Sequence, residues 1–304
     1  MPEKASETFD VIVVGGGPAG LSAALMLGRC RRRVLVCDLG QPRNRRARAL
    51  HGYLTRDGVA PRMLNRLGRA ELTRYGVVFK RIGVRSVRRA RRGFLATLDN
   101  GRAESSQFVL IATGVEDELP SVRGLDACYG RSVFHCPYCD GWEWRDRRLA
   151  VLGSGAHGVG LSLSIKTWSS DILYCTNGSR IATKDRERLA RNLIAVRTEP
   201  IAQLKHTAGQ LTAIDFRAGA AVVRDALFFS GGQHQRCDLA VRLGCSFTPR
   251  GTVRTGTLSN TNVPGVFVAG DASRDAQFVV VAAGEGVKAA VAINQALQRR
   301  ELAA

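Results

Sequence analysis

Two cysteines spaced two residues apart beside an acid, Cys136-Pro137-Tyr138-Cys139-Asp140 within VFHCPYCDGWEW, are the residues of this chain best suited to chemistry. In a loop or at a helix start, Cys-x-x-Cys brings two sulfurs close enough to close a small-ring disulfide. Positive potential there lowers the pKa of one thiol, so the pair can cycle between dithiol and disulfide. Two other readings stand beside this one. A tetrahedral zinc site needs four ligands; no second Cys-x-x-Cys or His pair is written, although Cys128 and His135 lie close in sequence. Inert cysteines are the third reading, and no metal is expected.

Other segments must position such a pair. Residues 9–38, FDVIVVGGGPAGLSAALMLGRCRRRVLVCD, spell a buried strand, a glycine turn, a helix of small and apolar residues, and a second strand ending in an acid. Gly15 allows the tight turn, Gly17 lets backbone amides approach a pyrophosphate, and Gly20 permits close packing of helix on strand. Asp38, eighteen residues after Gly20, is placed for a ribose hydroxyl. These features predict a dinucleotide site.

Residues 41–92 read as arginine-rich and loop-like, with His51-Gly52-Tyr53 and a helix near Pro61 to Tyr75. Strands resume between Phe94 and Gly114 and end in Ala112-Thr113-Gly114. Residues 116–124 read as a crossing into a second domain. There the opening pattern repeats, with Gly153, Gly155 and Gly158 in the places of Gly15, Gly17 and Gly20. The copy is partial: Thr176 stands where the first has Asp38, and His157 is expected to crowd the place of Ala19. A helix and antiparallel strands fill 182–224, and Leu227 to Gly232 ends another strand in small residues. Val263 to Asp271 is a turn, a buried strand and then Gly270-Asp271, an acid placed for a cofactor hydroxyl. A helix from Gln277 to Arg300, with a break at Gly284-Glu285-Gly286, closes the chain.

The 304 residues, 45% of them hydrophobic, suffice for two domains with real cores. No apolar run approaches the roughly eighteen residues of a membrane span, and the opening MPEKASETFD is polar. No membrane association is expected, and the expected location is cytoplasmic. Eight mostly isolated cysteines suit buried thiols in a reducing compartment. Lys and Arg outnumber Asp and Glu by 45 to 26, a formal charge of +19. The basic runs carry no interleaved aromatics, which argues against specific nucleic-acid binding. The charge suits an acidic protein partner, an anionic substrate or simply a solvated surface.

Nearly end to end, the pattern resembles the low-molecular-weight thioredoxin reductase family. The residues that carry the likeness are GGGPAG (Gly15, Gly16, Gly17, Pro18, Ala19, Gly20), ATG at 112–114, CPYCDG at 136–141 and GVFVAGD at 265–271. The resemblance implies an α/β fold of two Rossmann-like dinucleotide-binding domains of three-layer ββα type, the second inserted in the first. Residues 1–116 and 246–304 would bind FAD, and 117–245 would form an NAD(P)H-binding-type domain in a homodimer. It further implies that Cys139 faces the flavin, Cys136 exchanges with the substrate disulfide, and Asp140 donates and accepts the proton.

Two places depart from the family pattern. Thr176-Asn177-Gly178 replaces the His-Arg-Arg clamp for NADPH, with Arg180 and Lys184 out of register. Gln277-Phe278 replaces an Arg-Gln pair beside the flavin.

Three functions follow as expectations. The first is an FAD-dependent disulfide reductase acting on a thioredoxin-like protein or small disulfide, with NADPH or an acidic, ferredoxin-like electron-transfer protein as donor. The second is the same centre run backwards, an oxygen-using dithiol oxidase that closes a disulfide in a small molecule. The third is a flavin-binding redox sensor or carrier.

Overall fold

The structure, a computed structural model, describes residues 8–274 and 276–303; the polar segment 1–7 lies outside them. Strands β1 (Phe9–Val14), β2 (Val34–Cys37), β3 (Val78–Lys80), β4 (Val84–Ala90), β5 (Gly93–Leu98) and β6 (Ala103–Ile111) form one sheet in the order β3-β2-β1-β6-β5-β4. β1 is apolar at successive positions because both its faces are covered. Val11 and Val13 pack into one layer, Ile12 and Val14 into the other, and all four are buried.

β6 serves two layers. Its first half pairs antiparallel with β5, and its second half takes Val266–Val268 in parallel. One face of the parallel part is covered by helix α1 (Pro18–Arg29) and the C-terminal helix Val279–Leu302. The other is covered by the β4–β5 side, through Val87, Phe94 and Leu98. These are the three layers of a ββα unit.

A second sheet is wholly parallel, in the order Ala195–Arg197, Ile172–Cys175, Leu149–Leu152, Ala226–Phe229, Val133–Phe134. Antiparallel strands Ile201–Thr207, Gln210–Phe216 and Val222–Val223 lie on one face, and the helix Gly155–Ile165 on the other. Val115–Asp117 and Gln233–Gln235 pair antiparallel where the chain crosses between the two sheets. The first sheet thus draws on both ends of the chain and the second on its middle. Among the described residues no helix is long and apolar enough to cross a membrane.

Two expectations are corrected. The arginine-rich stretch 41–92 is not loop-like throughout, since it contains β3 and β4. β4 is an edge strand that buries only Val87 while Arg85, Arg88 and Arg89 stay exposed, so its alternation is masked by the arginine run. The C-terminal helix is unbroken at Gly284-Glu285-Gly286. A Cβ on Gly286 would lie 2.0 Å from the Ala19 carbonyl oxygen. The glycine therefore allows the helix to cross against α1 instead of ending it.

Gly286→Ala must force the two helices apart and should cost about 1–3 kcal/mol. At Gly284 an added Cβ meets nothing within 4 Å, so Gly284→Ala should stabilise by up to about 1 kcal/mol. Denaturant midpoints of the two variants should therefore move in opposite directions, and a shift of the same sign in both would refute this reading of Gly286.

Candidate active site

α1 starts at Pro18 with Gly17 as N-cap, and neither a capping side chain nor a first-turn acid occupies its N–H groups. Such a terminus suits an anion. Gly15 holds the turn at φ +108, where a Cβ would lie 2.3 Å from the Ala112 carbonyl oxygen, while nothing lies within 4 Å of a Cβ on Gly17. The turn is thus tight on its inner side and open on its outer side. It opens into a cavity of about 300 Å3, within the range of small-molecule sites.

Of the candidate residues, Gly15, Gly17, Pro18, Ala19, Asp38, Ala112, Thr113, Gly114, Gly270, Asp271, Gln277 and Phe278 line this cavity. Cys139 and Asp140 line it too. Gly20 and Cys136 do not. Gly20 is buried within α1, where a Cβ would lie 1.9 Å from the Gly15 carbonyl oxygen. Asp38 accepts a hydrogen bond from the Gly16 amide (3.0 Å) and another from Arg69 Nη2 (2.8 Å). The strand-end acid and the glycine turn therefore form one rigid piece.

Cys136 and Cys139 are joined as a disulfide with Cα atoms 5.3 Å apart. Cys136 precedes the single helical turn Pro137–Asp140, whose Cys139 amide donates to the Cys136 carbonyl (3.2 Å). The turn's sense sends Cys139 and Asp140 into the cavity and leaves Cys136 outside it. Burial, with Glu143 adding and His51 opposing, pushes the Asp140 pKa up to about 7. A carboxylic acid poised there can give or take a proton near neutral pH. His51 stands on the same cavity, with Nε2 3.5 Å from Glu143 Oε1 and Nδ1 3.6 Å from Asp57 Oδ1. By contrast, burial pushes the Cys37 and Cys175 thiols up to about 12, which makes them poor nucleophiles.

The residue that sequence reasoning missed most completely is Arg43. Its guanidinium pairs with Asp117, donates to Asp271 Oδ2 (3.0 Å) and Gln277 Oε1 (2.6 Å), and reaches His135 Nε2 (3.2 Å). Tyr129 donates its hydroxyl hydrogen to Asp117 Oδ2 (2.7 Å) and lies 3.3 Å from His135 Nδ1. This network assigns the histidine proton to Nδ1 and leaves Nε2 to accept from Arg43.

Burial lowers the His135 pKa, aided by Arg43 and opposed by Asp117. Although 37% of the side chain is exposed, both nitrogens face this network, and their surroundings govern the titration. Burial opposes ionisation of Asp117, yet Arg43, His135 and Tyr129 hold its carboxyl below the usual range. For Asp271 burial outweighs Arg43 and raises the pKa. Arg43→Lys keeps the charge but not the fork, and should cost about 1–2 kcal/mol. A denaturant titration of the two proteins measures it, and no loss would mean the fork is dispensable.

His135 and Cys128 do not converge on a metal. The histidine nitrogens face Arg43 and Tyr129, Cys128 is part of a hydrophobic core, and no metal-holding cluster of three such groups occurs among the described residues.

The second glycine turn differs from the first. The Tyr174 hydroxyl donates to the Gly153 carbonyl (3.1 Å). Thr176 is buried and donates to the Ser179 carbonyl (2.7 Å), while Asn177 Oδ1 accepts from the Ile201 amide (2.7 Å). The strand end that should greet a ribose is spent on its own loop. His157 is exposed and does not crowd the turn.

A disulfide between closely spaced cysteines and an acid at the edge of a glycine-turn cavity, on two Rossmann-like units, define a flavin-dependent disulfide oxidoreductase. Residues 9–286 match the family model described as pyridine nucleotide-disulphide oxidoreductase. A thioredoxin reductase, tcpT, from Claviceps purpurea is 31% identical over 88% of this chain and 87% of its own length. The crystal structure of HlmI superposes with a TM-score of 0.94 at 35% identity, covering 97% of this chain and 94% of that one. An oxidoreductase from Agrobacterium tumefaciens gives 0.89 at 32%, covering 96% and 99%. The chain belongs to the pyridine nucleotide-disulphide oxidoreductase family, and its relatives are of the thioredoxin reductase type.

Proposed function

We propose that the cavity holds FAD and that the protein passes electron pairs between it and a thioredoxin-like or small disulfide or dithiol substrate through Cys136 and Cys139. The observation that carries this is the placement of Cys139 and Asp140 on the same cavity as the Gly15–Ala19 turn. The uncapped start of α1 fits the pyrophosphate, and Asp38 and Asp271 fit the ribose and ribityl hydroxyls. Ala112–Gly114, Gln277 and Phe278 line the same space. In this reading 1–116 and 246–304 form the flavin-binding domain, joined by Leu239, Ala240 and Cys245, which pack in its core beside Ile12 and Val14, and the rest of 117–245 forms the inserted one. When bound, the flavin supplies a two-electron donor or acceptor beside Cys139.

The chain's own groups carry the exchange. A substrate thiolate attacks Cys136 Sγ, the Cys136–Cys139 bond breaks, and the Cys139 thiolate leaves toward the cavity. Asp140, neutral below about pH 7, protonates that leaving thiolate. A second substrate thiol displaces Cys136, so the substrate is oxidised to a disulfide and the protein holds the dithiol. The reverse sequence reduces a substrate disulfide, with Asp140 taking the proton from Cys139.

The direction of flow turns on the electron source. The self-satisfied Thr176 and Asn177 favour the dithiol-oxidase reading over an NADPH-driven one. Visible spectra of the purified protein, taken anaerobically before and after NADPH and then dithiothreitol, test both. Bleaching by dithiothreitol alone supports oxidase flow, and bleaching by NADPH supports reductase flow. A protein with no flavin spectrum overturns the proposal.

A further inference from the structure

A second cleft, of about 600 Å3, opens beside the candidate cofactor cavity, between the 40–48 loop and the start of helix α2 (Pro61–Thr73). Five arginines line it, Arg45, Arg48, Arg62, Arg69 and Arg81, and no Asp or Glu does. Only Arg69 has a carboxylate partner, Asp38 at 2.8 Å, and its Nε is buried with no hydrogen-bond partner among the described residues. Arg45, Arg48, Arg62 and Arg81 make no ion pair or side-chain hydrogen bond among the described residues.

These side chains ring a concave surface. A cleft lined by one sign of charge concentrates its field, and arginine forks match phosphate oxygens two at a time. α2 adds to this, because its N-cap Ala60 and first turn, which border the cleft, bring no acid to offset the positive end of the helix. A lone phosphate engages two or three forks at most. Four forks around one cleft, unpaired among the described residues and beside the Asp38-paired Arg69, match several phosphates in a row.

We propose that this cleft binds an oligophosphate chain, carried either by a nucleoside or as the inorganic polymer, as a site separate from the flavin cavity. Pro42, Ala47 and Asn65 line both, but none of the five arginines lines the flavin cavity.

The test is calorimetric titration of the flavin-loaded full-length protein with inorganic tripolyphosphate, ATP and polyglutamate, following flavin absorbance in parallel. Saturable binding of tripolyphosphate without loss of flavin is expected, weakened about tenfold by Arg45→Ala and again by Arg62→Ala. Neither side chain lines the flavin cavity. Binding of ATP tighter than that of tripolyphosphate identifies a nucleoside-borne chain, and equal binding identifies an inorganic one; both support the site. The proposal is overturned by the absence of saturable tripolyphosphate binding, by affinity indifferent to both substitutions, or by polyglutamate binding as tightly.

Discussion

Cys139→Ser and Cys136→Ser should each lower turnover by on the order of 10^4-fold or more, because a two-electron exchange needs both sulfurs. The two variants should nevertheless fail differently. Cys139 lies on the cavity and Cys136 does not. With serine at 139, the remaining thiol at 136 is the one that meets substrate, and it has no neighbour to release it. A mixed disulfide with substrate should therefore accumulate. With serine at 136, the remaining thiol faces inward and traps a bulky substrate slowly. Intact-mass measurement after incubation with a substrate disulfide, under non-reducing conditions, reads the adduct directly. Equal trapping by both variants, or faster trapping by the Cys136→Ser protein, would reverse the assigned roles. Full turnover by either would make the pair a reporter and the protein a sensor or carrier.

Much of this arrangement was legible in the sequence because its signals are local. The Gly15–Gly20 turn, the strand-end acid Asp38 and the Cys-x-x-Cys spacing each lie within a few residues of the structure they impose. The Cys136–Cys139 bond closes within its own turn, while the partners of Gly15 and Asp38, Ala112 and Arg69, come from elsewhere in the chain. The partial second motif was legible for the same reason, and the structure adds why it departs: Thr176 and Asn177 spend their polar atoms on their own loop.

What stayed hidden is long-range and charged. Arg43 sits in an arginine-rich run and differs from its neighbours only in what comes to meet it, Asp117, Asp271 and Gln277, from 74, 228 and 234 residues away. His51 meets Glu143 by the same kind of convergence. The misread break at Gly284–Gly286 has a related cause. Glycine in a helix signals either a stop or a close neighbour, and only the position of α1 distinguishes the two. β4 was missed because an edge strand needs only one buried side chain, Val87, and hides it among arginines.

Asp140→Asn should make the protein less active and more stable, and the second effect should depend on pH in a definite sense. The folded-state pKa is raised from 3.8 to about 7. Well below pH 3.8 both folded and unfolded chains carry the proton, and the carboxyl contributes nothing. As pH rises from there toward 7 the unfolded chain ionises first, so the folded state is penalised progressively. Above 7 the penalty is complete, on the order of 3 kcal/mol once partial solvent access is allowed for. Asparagine has the shape and no charge at any pH, so it removes the penalty. The denaturant midpoint of the variant should exceed that of the unsubstituted protein only slightly at pH 4 and by much more at pH 8.5.

Turnover should fall roughly 10^2- to 10^4-fold, the usual worth of a positioned acid. In the direction that protonates Cys139, the rate of the unsubstituted protein should decline above about pH 7. His51→Gln should move that limb to higher pH and Glu143→Gln to lower, since His51 lowers the Asp140 pKa and Glu143 raises it. A stability gain equal at pH 4 and 8.5 would show that Asp140 is not the titrating group. An unshifted limb in both neighbour variants would detach it from the proton that the disulfide exchange requires.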